Sequence, residues 1–153
     1  MANVCEIQRL RAVLGWAASL WTMLACGGCG SQLADVQGTV SIDGQKVMGA
    51  SDVRGTVVFA PRETGLPTGS GVLNGAGQYS IYVGSNPGIK PGAYRVAVTV
   101  TKIRPASTEG GTPSGQLLSP ARYANPQESG LEVDVEAGSN TFDFDLETSG
   151  PAR

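Results

Sequence analysis

The chain has 153 residues, 22 of them Gly and 9 Pro, with 16% charged residues and a net charge of −2. That length fits one domain of ordinary size, and the Gly and Pro content suits a turn-rich β protein. The absence of a basic stripe argues against nucleic acid as a partner, and the absence of His excludes His-based triads, His-containing zinc sites and imidazole general bases.

In chain order, Met1–Arg11 is polar and ends on Arg9 and Arg11, an uncharged apolar run of 14 residues (Ala12–Ala25) follows, and then comes Cys26-Gly-Gly-Cys29-Gly-Ser. A basic end, an apolar stretch and small residues after it are the three parts of a secretory signal peptide. The run is too short for a stable spanning helix, which needs about 20 apolar residues. Residues 1–25 are therefore expected to be a signal helix that exports the chain. Thr22-Met-Leu-Ala-Cys26 resembles a bacterial lipobox, in which a small residue precedes a cysteine that is diacylated and becomes the new N-terminus. Acyl chains at about 0.8 kcal/mol per buried methylene hold a protein on a membrane when two or more are present. Cys26 is the expected lipid attachment site and Cys29 the alternative. Residues 26–35 then form a lipidated tether, and Gly27, which is not acidic, favours the outer over the inner membrane by analogy with sorting in enteric bacteria. All three cysteines and both tryptophans lie in the first 29 residues, so disulfides cannot hold the body together.

From Val36 onward, apolar and polar residues alternate in short runs between turn residues, the period of half-buried strands. Val36, Val40 and Ile42 share one face, and Gln37, Thr39 and Ser41 the other. Asp43-Gly44 supplies a two-residue hairpin turn, since glycine tolerates the positive φ required there, and Gln45–Val47 returns. Arg54–Ala60 is a further strand ending at Pro61. Thr68–Leu73 and Gln78–Val83 bracket Asn74-Gly-Ala-Gly77 and predict a second hairpin. Pro91-Gly92 opens a long strand with Tyr94, Val96, Val98 and Val100 on one face. Residues 103–127 contain Pro105, Pro113, Pro120 and Pro126 and predict a long functional or mobile loop, of which Leu117–Tyr123 is apolar enough to pack back on the sheet edge. The last predicted hairpin pairs Leu131, Val133 and Val135 with Leu146, Phe144 and Phe142 across the loop Ala137–Asn140. This register also sets Asp134 opposite Asp143 and Glu132 opposite Asp145.

Gly38-Thr-Val-Ser-Ile-Asp-Gly44, Asn74-Gly-Ala-Gly-Gln-Tyr-Ser-Ile81 and Pro91-Gly-Ala-Tyr-Arg-Val-Ala-Val98 stand in an order that resembles the carboxypeptidase regulatory-like (transthyretin-like, or prealbumin-like) domain. Tyr123-Ala-Asn-Pro, Ser129-Gly-Leu-Glu-Val and Asn140–Leu146 look like the close of small bacterial lipoproteins that carry it. The resemblance covers about Val36–Leu146. It implies an all-β, seven-stranded antiparallel β-sandwich over residues 36–147, a tail at 148–153, and a non-catalytic module. Leu73-Asn74 departs from the family's Thr-Asp, so that turn is expected to lose a side-chain cap.

The chemistry open to such a chain is narrow. Thiol catalysis goes with the cysteines, and Gly75-Ala-Gly77 joins two strands where a nucleotide loop would join a strand to a helix. Strand carboxylates on a flat face are poor calcium ligands, so neither a metal nor a cofactor is expected. The candidate binding side chains are Tyr82, on the polar face of its strand, and Tyr123, in the long loop. The expected function is a non-enzymatic envelope protein held on the membrane by lipid. The alternative is recognition of a polysaccharide or an envelope protein through residues 103–127.

Overall fold

The computed structural model describes residues 33–48, 51–106 and 112–149. The expected signal peptide, residues 1–25, and both candidate lipid-bearing cysteines lie outside the described residues. The body is an all-β sandwich. One sheet is built around β1 (Asp35–Ile42), with β2 (Gln45–Lys46) and β5 (Gln78–Ser80) on one side and β11 (Ser139–Thr141) and β12 (Phe144–Leu146) on the other. The facing sheet runs β10 (Leu131–Val135), β8 (Gly92–Arg104), β3 (Val53–Pro61), β4 (Gly69–Val72), β6 (Tyr82–Val83) and β7 (Asn86–Pro87), with β9 (Ser114–Leu117) beside the far half of β8.

The local readings hold where one turn decides the structure. Asp43 and Gly44 have φ of 50° and 76°, the double positive turn of a tight hairpin, and Ile42 pairs with Gln45 across it. Thr148 donates from its hydroxyl and its backbone N–H to the Asp43 carboxylate, which holds that carboxyl below its ordinary pKa and ties the turn to the end of the last strand. β8 shows the predicted alternation, with Tyr94, Val96, Val98 and Val100 fully buried.

The core lies between the two sheets and is centred on Phe59. Its ring stands 6.1–6.4 Å from those of Tyr79, Tyr94, Phe142 and Phe144, which come from both layers. Each side chain of this kind contributes about 1.5–3 kcal/mol when buried. Among the described residues no cysteine assists it.

Three expectations are corrected. The 131–146 segment is not a hairpin: β10 pairs antiparallel with β8, while β11 and β12 cross to the other sheet and pair parallel with β1. The expected antiparallel β-sandwich holds for the other strand pairs, and these two are parallel. Charge contributes modestly to this choice. A hairpin would oppose Asp134 to Asp143 and Glu132 to Asp145, whereas in the sandwich Glu132 lies between Arg62 (3.0 Å) and Arg95 (3.2 Å), and Asp145 accepts from Ser41 Oγ and Gly44 N–H. The buried apolar residues Val135, Phe144 and Leu146 still share one core, across layers instead of side by side.

The second predicted hairpin also opens. β5 pairs with β1, and only Ser70 and Tyr82 pair across to β4. Its turn keeps a side-chain cap after all, because Asn74 Oδ1 accepts from the N–H groups of Ala76 and Gln78.

Finally, the described part of 103–127 is no open loop. β9 pairs with β8, and Ser119 Oγ accepts from Val100 N–H. A short 3-10 turn, Ala121–Ala124, then carries Tyr123 inward to 4% exposure.

The parallel pairing depends on Gly38. A Cβ there would fall on the Phe142 carbonyl oxygen and crowd the Tyr79 ring. Overpacking a well-filled site costs about 1–3 kcal/mol or more, whereas Gly44 has open space and its replacement meets only the left-handed backbone penalty of about 1–2 kcal/mol. Urea unfolding should therefore show Gly38→Ala losing more stability than Gly44→Ala; equal losses would refute this account of the first and last strands.

Candidate functional site

The outer faces of the strands form one concavity where the chain changes sheets. Residues 78–83 begin beside β1 as β5 and end beside β4 as β6, so the polar halves of both layers meet in an open groove of about 740 Å³. Its floor is laid out by the register. Thr141, Gln37 and Ser80 form one row across three strands, because Gln37 pairs with Thr141 on one side and Ser80 on the other. Asp143, Thr39 and Gln78 form the next row. Ser70 and Tyr82 pair on the far wall, with Val72 beside them.

Alternation explains which side chains arrive there. Gln78, Ser80 and Tyr82 are the outward partners of the inward Tyr79 and Ile81. The second row depends on a break in the ladder. At Phe142 and Asp143 the register with β1 is unchanged but the ladder is interrupted, and Thr39 N–H, which would otherwise meet a backbone carbonyl, donates to Asp143 Oδ1 at 2.8 Å. Thr39 Oγ1 donates to the same oxygen at 2.7 Å. Beneath this interruption the Tyr79 hydroxyl donates to the Phe142 carbonyl at 2.7 Å. Burial first, and the nearby Asp143 charge second, push the Tyr79 phenol well above its ordinary range.

The lining contains hydroxyls, primary amides, two tyrosines (buried Tyr79 in the floor and exposed Tyr82) and one carboxylate; no Lys or Arg borders it. Among the described residues the side chains of Gln37, Ser70, Ser80 and Thr141 form no hydrogen bonds with the rest of the protein, which leaves their donors and acceptors to solvent or a ligand. Such a surface can recognise polar, uncharged groups. It offers no activated nucleophile and no paired acid and base, and no group of three His, Cys, Asp or Glu side chains gathers among the described residues to hold a metal.

The two tyrosines expected to bind are thus separated. Tyr82 is 43% exposed and lies in the groove. The expectation of an exposed Tyr123 is corrected: its ring packs in the core, its hydroxyl accepts from Glu147 N–H, and the Arg122 guanidinium covers it at 4.6 Å. The apolar run before it drew it inward. Gln37, Ser70 and Ser80 were not singled out from the sequence. Their outward parity was legible, but the change of sheets that brings them together was not.

Comparison with protein-family models and with curated proteins returns no match. Among solved structures, a 9R-lipoxygenase from Cyanothece aligns with a TM-score of 0.34 and 15% identity, over 76% of this chain and 16% of the lipoxygenase. Likeness at that level supports neither a shared fold nor a shared chemistry.

Replacing Tyr79 by Phe leaves the Phe142 carbonyl without its phenol donor, at a cost of about 1–3 kcal/mol. The same phenol gives a pH signature. Because its pKa is raised in the fold, the folded state keeps a proton that the unfolded chain releases. That stabilisation is complete below the ordinary tyrosine pKa near 10 and drains as pH rises through the folded value. Denaturation midpoints should fall more steeply above pH 10 for the natural protein than for Tyr79→Phe, and parallel slopes would contradict the assignment.

Proposed function

We propose that this chain is a lipid-anchored, non-enzymatic envelope protein whose β-sandwich, of the carboxypeptidase regulatory-like kind, serves as a structural or binding module. The observation that carries this reading is the order of sequence signals ahead of the fold. Arg9 and Arg11, the apolar run 12–25 and Cys26 precede a body whose first described residue, Leu33, comes seven positions after that cysteine. With Cys26 acylated, seven extended residues reach about 25 Å at most, so the domain would stay close to the lipid headgroups. The end of the sandwich nearest the membrane would be the one where Ala34 bridges to Ile89.

The non-enzymatic part is supported by the residue types at hand. The chain has no His, and no Cys occurs after Cys29. Glu132, on one sheet, is engaged with Arg62 and Arg95, and Asp143 and Asp145, beside the other, with Thr39 and Ser41. Recognition through residues 103–127, with Tyr123 as its platform, finds no support in the burial of that ring. The groove beside Tyr82 is the better candidate for a binding surface.

The test is acylation. Labelled palmitate should enter the natural protein and not a Cys26→Ser, Cys29→Ser double variant, and the intact mass of the mature protein should correspond to a chain beginning at acylated Cys26. A mature N-terminus at Cys29 would move the anchor to the alternative site. Equal labelling of both proteins, or an unacylated mature chain, would defeat the proposal.

A further inference from the structure

We infer that the groove between the outer faces of the two sheets binds a neutral glycan chain, with Tyr82 as the surface on which a sugar ring rests. This deepens the binding-module part of the reading above. The inference starts from the chemistry of the lining. Sugar hydroxyls both donate and accept, and so do hydroxyl and primary amide side chains; an ammonium only donates and an ionised carboxylate only accepts. Gln37, Ser80 and Thr141 present that dual capacity in one row, and Ser70 adds to it across the groove.

Charge narrows the class. With no Lys or Arg on the lining, nothing compensates the desolvation of a phosphate, sulfate or uronate. The single carboxylate, Asp143, is held in place because its Oδ1 accepts twice from Thr39. Its Oδ2 accepts no hydrogen bond among the described residues and can take a sugar hydroxyl.

Shape narrows it further. The volume of about 740 Å³ falls within the usual span for ligand clefts, about 300–1,000 Å³. The groove is open along the outer faces, which suits a polymer passing through more than a small molecule enclosed on all sides. Tyr82 and the exposed Val72 provide apolar surface on one wall, where the C–H face of a pyranose can pack while its hydroxyls meet the polar rows.

Affinity electrophoresis of the full-length protein in a sugar-free non-ionic detergent tests this. The neutral probes are dextran, a mixed-linkage β-glucan and galactomannan, and the anionic ones are heparin and polygalacturonate. At least one neutral polymer should retard the natural protein and neither anionic polymer should. Tyr82→Ala should weaken the retardation about tenfold, the scale of one lost aromatic contact, Gln37→Ala should weaken it too, and Tyr82→Phe should retain most of it. Because Tyr82 is exposed, the melting temperature of Tyr82→Ala should stay near that of the natural protein, which separates lost binding from lost folding. Failure of all three neutral polymers, retardation by the anionic ones alone, or undiminished binding by Tyr82→Ala would overturn the inference. The intact mass of the same sample keeps the two readings apart. Acylated protein that binds no glycan defeats the glycan inference alone, and unacylated protein that binds one defeats the anchor alone.

Discussion

The first and last strands lie parallel because Gly38 has no side chain to hold the Phe142 carbonyl away. Parallel neighbours need a long connection between them, and here nearly the whole domain, residues 43–138, supplies it. The contact therefore closes the fold end to end. It also has a local effect. The close approach accompanies an interruption of the ladder between β11 and β12, and backbone groups without ladder partners must be satisfied elsewhere. The Tyr79 hydroxyl takes the Phe142 carbonyl, and the Asp143 carboxylate takes the Thr39 N–H. Two side chains six strands apart in the sequence, Tyr79 on β5 and Asp143 after β11, thus become parts of one floor, one from beneath and one from above.

The same floor links the core to the surface. Tyr79 stacks on Phe144 at 6.1 Å and packs against Phe59, so the ring whose hydroxyl holds the Phe142 carbonyl belongs to the aromatic group that joins the layers. A groove supported in this way is preorganised: its polar rows sit on strands whose register is fixed by buried neighbours, so little order remains to be imposed by a ligand. The opposite flank is closed differently. There Ser119, Tyr123 and the Arg122 guanidinium, which also donates to the Glu147 carbonyl, fill the space beside β8 and β12. One side of the sandwich is plugged by its own chain, and the other is left concave.

The sequence made the strands and their faces legible, because alternation needs only neighbouring residues. Asp43-Gly44, the buried face of β8 and the outward parity of Tyr82 were all readable. Pairing was not. Leu131, Val133 and Val135 match Phe142, Phe144 and Leu146 equally well as hairpin neighbours or as opposite walls of a core, since burial asks only that apolar groups meet. The carboxylates carried the missing signal. Asp134 against Asp143 and Glu132 against Asp145 made the hairpin electrostatically poor, and Arg62 and Arg95 offered Glu132 a better place, though exposed pairs of this kind are worth about 0–1 kcal/mol each and decide little alone. Tyr123 was misplaced for a related reason. Four prolines suggested an open loop, while the Leu117–Tyr123 segment inside it carried enough apolar surface to fold back.

The placement of function follows from the same division of labour. Residues 103–127 looked like the recognition element because long loops often are, but most of their described length is spent on pairing with β8 and filling the flank. The polar halves of ordinary strands became the candidate surface instead, through a single change of sheet at Ile81, whose N–H still donates to Val36 on one layer while Tyr82 already pairs with Ser70 on the other. That switch turns two flat outer faces into one concave one without any special residue. Hydroxyls and amides fixed in rows in this way are suited to meeting the hydroxyls of a polar neutral chain.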